Sequence, residues 1–71
     1  VDIPTRNLSR YVKQKRINLS KMSRDTGIPY ISLYDSLMND SRDRDLRVGE
    51  MFKICDFLGV DPLDFNKLEE G

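Results

Sequence analysis

"RDTGIPYISLYDSL", residues 24–37, is the stretch on which the reading of this chain turns. Gly27 supplies a turn residue that accepts positive φ without steric cost. Ile28 follows as a buried aliphatic, and Pro29 suits the first position of a new helix, where its missing N–H costs nothing. In that helix Leu33 and Leu37, four apart, make the inward stripe. On the near side, Asn18 is a good N-cap for a short helix running to about Thr26, with Leu19 and Met22 directed inward. Two short helices joined through a tight glycine turn follow from this stretch.

The flanks extend the helical pattern. Leu8, Tyr11 and Val12 fall on one face of a first helix over roughly residues 4–16, with Pro4 in its first turn. Arg10, Lys13, Lys15 and Arg16 cover its other side and its C-terminal turn. A fourth helix carries Val48, Met51, Cys55 and Leu58 as its stripe, widened by Phe52, Ile54 and Phe57. Asp45 is the expected cap before it, and Gly49 weakens its first turn. Gly59 stops that helix and Val60 plugs the core. Asp61 then caps a short last helix from Pro62 that includes Leu63, Asp64 and Phe65. Residues 67–71 are expected to fray.

Seventy-one residues make a single domain, residues 1–71, near the lower size limit for folding without staples. One cysteine and no histidine exclude an intramolecular disulfide and a Cys/His zinc site, so an apolar core carries the stability, extended by dimerisation. Cys55 reads as a small core residue, and its solitary state points to a reducing compartment. No stretch has the length of a membrane span or the pattern of a signal peptide, which gives a cytoplasmic expectation. The start at Val1 reads as processing or trimming. Without histidine there is no Cys-His or Ser-His pair, and no glycine-rich phosphate cradle is present, so an enzyme is not expected. Asp40, Asp43 and Asp45 alternate with arginines and lack a loop glycine, which argues against a calcium loop.

Net charge is zero, but it is unevenly spread. Residues 1–34 hold seven cations against two carboxylates, whereas residues 48–71 hold two against six. A basic half and an acidic half suggest one anion-facing surface with the other end turned away.

The two-helix unit fits a helix-turn-helix: a small residue at the turn, an aliphatic after it, another inside the second helix. The wider series is Met22-Ser23, Gly27-Ile28, Leu33, Met51, Ile54-Cys55, Leu58-Gly59-Val60 and Leu63. It resembles the lambda-repressor-like, Cro-type helix-turn-helix family over roughly residues 5–66. That family's usual form is Leu-Ala, Gly-Val, Ile, then a leucine-rich helix ending Ala-x-x-Leu-Gly-Val. The resemblance implies an all-α, compact five-helix domain with a core at about 5–66, whose recognition helix opens near Pro29. Three positions depart from the pattern. Leu19 stands where a backbone-gripping Gln is common, Pro29 where a Ser or Thr opens the recognition helix, and Leu37 where a Glu closes it.

By position, the resemblance makes Tyr30, Ile31, Tyr34 and Asp35 base-facing. None is the Arg, Lys, Asn or Gln that major-groove reading usually employs. Ile31 suits thymine methyls, Asp35 suits cytosine N4, and the tyrosine hydroxyls suit a base or a phosphate. Phosphate contacts would fall to Lys15, Arg16, Asn18, Ser20, Lys21, Ser32, Arg42 and Arg44. In the 39–47 loop the interleaved aspartates either position the arginines or cancel their field. Phe52, Phe57 and Phe65 are candidates for a dimer patch or for ordinary core packing.

The function implied is a sequence-specific regulator, of phage or plasmid Cro/repressor type, binding double-stranded DNA at an operator-like site. A homodimer would engage half-sites about 34 Å apart. The alternative is a protein of the same fold that captures a repressor instead of DNA, for which an apolar-aromatic helix is well suited. Neither reading requires a cofactor, a metal or a small-molecule substrate.

Overall fold

Asp2 opens the first helix. Its carboxylate accepts the Thr5 N–H at 2.9 Å, and α1 (Ile3–Lys15) runs from there to Arg16, which turns into the left-handed region at φ 54. The computed structural model describes residues 2–66; the expected fraying of 67–71 lies outside them. α2 (Leu19–Thr26) begins at Asn18, whose side chain accepts the Lys21 N–H, and ends at Gly27 with φ 78. α3 (Tyr30–Leu37) and α4 (Val48–Leu58) follow, and Gly59 ends α4 at φ 71.

The expected fifth helix is a single 3-10 turn, Pro62–Phe65, so four α-helices are present among the described residues. Its carbonyl bonding runs from Asp64 N–H to Asp61 and from Asn66 N–H to Leu63, each three residues apart. Four residues close that tighter pattern but leave no length for a ladder of i to i−4 bonds.

Leu8, Val12, Leu19, Met22, Ile28, Leu33, Leu37, Leu46, Ile54, Cys55 and Phe65 form the core. α1 packs on α3 and on the 3-10 turn, α2 packs on α3 and α4, and α4 closes against the 3-10 turn. Polar groups of α1 fasten these layers. Thr5, fully buried, accepts the Leu46 N–H at 2.9 Å; Ser9 donates to the Leu37 carbonyl; Asn7 donates to the Phe65 carbonyl.

Three local expectations are corrected. Pro29 is the N-cap of α3 rather than its first helical residue: at ψ 139 it is still extended, and its carbonyl accepts the Leu33 N–H. Asp45 does not cap α4. It accepts the Asp2 N–H instead, while Arg47 takes the cap position and its N–H is held by Glu50. The α4 stripe also starts a turn late. Val48 and Phe52 are 74% and 58% exposed, and the burial of α4 is carried by Ile54 and Cys55.

Candidate nucleic-acid interface

The α2–α3 turn is locked from within. Gly27 N–H bonds the Ser23 carbonyl at 2.9 Å, and the Ser23 hydroxyl donates to the Ile28 carbonyl at 2.6 Å. Thr26 closes the other side, donating to the Met22 carbonyl and accepting the Ile28 N–H. With Met22, Ile28 and Leu33 buried beneath, α3 has little freedom to rotate against α2.

That rigidity fixes which side of α3 faces outward. Leu33, Ser36 and Leu37 point into the protein, and Tyr30, Ile31 and Tyr34 lie on the exposed strip, Ile31 at 72% exposure. The two tyrosine rings stack, with centroids 6.3 Å apart and planes 23° from parallel. Ser32 is half-buried on the edge of the strip.

Asp35 closes the strip differently from the other three. Its side chain is only 15% exposed and lies 3.5 Å from Arg42 Nε, so its carboxylate is engaged with a cation of the following loop. Arg42 is held on a defined turn: its N–H bonds the Asn39 carbonyl, and the Asn39 side chain accepts the Ser41 N–H. The Asn39 N–H in turn bonds the Tyr34 carbonyl at 2.8 Å, tying that turn to the end of α3.

Arg44 faces inward. It donates to Ser36 Oγ at 2.6 Å and makes two bonds to the Glu50 carboxylate, at 3.2 and 3.0 Å. This fork joins the end of α3 to the start of α4 and commits both terminal nitrogens of Arg44 to internal partners. Partial burial pushes the Glu50 carboxyl up, but bonds from Arg44 and the Arg47 N–H, with the charges of both arginines, outweigh it. Glu50 therefore titrates below its ordinary value.

Of the remaining expected contacts, Lys15 and Arg16 are exposed at the end of α1, and Ser20 and Lys21 on the first turn of α2. Asn18 is exposed too, with its side-chain oxygen committed to the α2 cap. The phenylalanine triplet separates. Phe65 is buried edge-on against Tyr11, Phe57 is half-buried, and Phe52 stands out at 58% exposure. Phe65 is therefore core, not surface patch. Phe52 instead lines an apolar groove of about 270 Å³ with Pro4, Val48, Met51 and Leu63.

The residues that sequence reasoning missed are Ser36, Glu50, Thr5 and Ser9. Ser36 stands three residues after Leu33 and Thr5 three before Leu8, both in the register of a buried stripe. A polar side chain there signals an internal partner, though not which one. Among the described residues, no cluster of potential metal ligands occurs and no helix is long and apolar enough to cross a membrane.

Comparison with known proteins agrees with this architecture. The sequence model of the Cro/C1-type HTH DNA-binding domain matches residues 7–71. No curated protein and no solved structure matches the chain. With nearly its whole length matched, the chain belongs to the Cro/C1-type HTH DNA-binding domain family.

Proposed function

We propose that this Cro/C1-type domain is a sequence-specific transcriptional regulator of the phage or plasmid repressor class. In this reading α3 enters the major groove of double-stranded DNA at an operator-like, two-fold site, and the protein acts as a homodimer. The observation that carries the reading is the outer strip of α3. Tyr30, Ile31 and Tyr34 are bulky, exposed and uninvolved in the core, on a helix that the Gly27 turn holds rigidly. Ile31 would meet thymine methyls, and the stacked tyrosines would bring their hydroxyls to a base edge or a phosphate. Lys15, Arg16 and Lys21, with Ser20 and the first N–H groups of α2, would hold the sugar-phosphate backbone.

Dimerisation is supported by the apolar groove. It is bordered by Pro4, α4 and the 3-10 turn, and no residue of α3 lines it. The longest dimension of one protomer is 34 Å, comparable with the roughly 34 Å between successive major grooves on one DNA face.

A second reading keeps a specific observation behind it: α3 exposes apolar and aromatic side chains and no amide or cation of its own. Such a face suits capture of a partner repressor. Fluorescence anisotropy with random duplex DNA at low and moderate salt, followed by selection from the bound pool, separates the two. The DNA reading expects binding that weakens by roughly tenfold or more as salt rises, and an enriched near-palindrome. Absence of binding even at low salt would refute it and leave the protein-capture reading.

A further inference from the structure

We infer that Arg42, outside α3, is the base-reading cation of this interface, and that Asp35 is its positioning residue. The inference rests on the DNA reading above and assigns a specificity determinant within it, where the simplest expectation for a loop arginine is a phosphate contact.

The argument starts from what α3 lacks. Its exposed strip has no side chain able to make the paired donor contacts by which guanine O6 and N7 are distinguished. Its one ionisable acid, Asp35, would be repelled by the phosphates lining the groove if it stood alone. It does not stand alone. Arg42 Nε lies 3.5 Å from Asp35 Oδ2, and the pair sits at the end of the strip formed by Tyr30, Ile31 and Tyr34.

A guanidinium is planar and has two donor edges. With Nε turned to the carboxylate, the terminal edge, Nη1 and Nη2, keeps two parallel N–H groups for another acceptor. That edge has the fork geometry that matches guanine O6 and N7. The side chain is 66% exposed, while the carboxylate anchoring it is 15% exposed, so the anchor is fixed and the far end is accessible. The backbone is fixed as well, through Arg42 N–H to the Asn39 carbonyl, Ser41 N–H to the Asn39 side chain, and Asn39 N–H to the Tyr34 carbonyl. With its arginine largely exposed and a single contact at 3.5 Å, the ion pair contributes little to stability. Its consequence is orientation: it neutralises an acid on the reading face and aims an arginine from the loop along the C-terminal end of α3. Arg44, two residues on, is not an alternative reader, because Ser36 and Glu50 occupy it.

The test compares wild type, Arg42→Ala, Arg42→Lys and Asp35→Ala in sequence selection, then in titrations with the selected duplex and with the same duplex carrying 7-deazaguanine at the enriched G. Base reading predicts a G·C pair selected at a symmetric position by wild type. It predicts loss of roughly tenfold or more of that preference in both Arg42 variants, with preferences elsewhere retained. Wild type should lose affinity on 7-deazaguanine, which lacks the N7 acceptor, and Arg42→Ala should be indifferent to it. Asp35→Ala should weaken the G preference while binding random DNA at least as well as wild type, since it removes a negative charge. The proposal is overturned if Arg42→Ala weakens all duplexes alike, lowers the salt dependence by about one phosphate contact, and is rescued by Arg42→Lys. It is equally overturned if 7-deazaguanine affects wild type and Arg42→Ala alike. These outcomes leave the DNA reading intact, whereas failure of that reading would show as no binding of any duplex by wild type. A retained cooperative thermal transition in each variant excludes unfolding as the cause.

Discussion

Thr5 and Leu33 are both fully buried, and they stabilise the domain by different physics. Leu33 contributes apolar volume beneath the α2–α3 turn, so Leu33→Ala should cost about 2–5 kcal/mol through lost transfer energy and the cavity left behind. A nearly unchanged midpoint in urea denaturation would contradict that packing. Thr5 contributes an acceptor. Thr5→Val keeps the shape but leaves the Leu46 N–H without its partner, at a cost of about 1–3 kcal/mol. The same denaturation experiment should show it, with affinity for duplex DNA unchanged where the protein remains folded. The difference explains what was legible at this scale. Leu33 announces itself by its spacing from Leu37, whereas Thr5 stands in the register of the α1 stripe without revealing its partner, Leu46, forty-one positions away.

At the scale of elements, the junction of α3 with α4 rests on the Arg44 fork between Ser36 and Glu50. Glu50 titrates below its ordinary value of 4.5 in the folded protein, so its stabilising contribution is complete above that value. It is lost as pH falls through the lowered folded value. Glu50→Gln should therefore cost about 1.5–3 kcal/mol near neutral pH, and the gap from wild type should close as pH falls through the lowered folded value. Equal stability curves for the two proteins from neutral pH downward would show that the fork does not hold the junction. Helix boundaries were legible because capping acts over three or four residues. Asn18, Gly27, Gly59 and Asp61 all sit where their local chemistry predicts. Asp45 was misread because its acceptor is used by Asp2, at the far end of the chain. The last element was overcounted for a simpler reason: Pro62–Phe65 carries a helix's start signals but only the length of one tight turn.

At the scale of the whole molecule, the apolar groove is the candidate contact between two copies. Phe52 is exposed, so Phe52→Ser should leave the thermal transition of the monomer within about 0.5 kcal/mol of wild type. If the groove joins two copies, the variant should sediment as a monomer where wild type is dimeric, and its affinity for a two-fold site should fall while that for a half-site is unchanged. Wild type that is monomeric at high concentration, or a variant that still dimerises, would remove the groove from the interface. The sequence suggested three phenylalanines for this surface, but their shared hydrophobicity does not distinguish them. Phe65 packs edge-on against Tyr11, whereas Phe52 is exposed on α4 and lines the groove, and only the docking of α1, α4 and the 3-10 turn separates the two.

The sequence by itself determined the helices, their turns and the greater part of the core, because caps and apolar periodicity act within a few neighbouring residues. It also determined that α3 would carry no cation or amide on its outer strip. The tertiary structure alone decided the fate of the charges. Arg42 and Arg44 are two residues apart in one loop, yet one turns outward to Asp35 and the other inward to Ser36 and Glu50. No local preference distinguishes two arginines in a loop of alternating charge; the two acids they meet lie on different helices, and which arginine meets which acid depends on how α3 and α4 are set against each other.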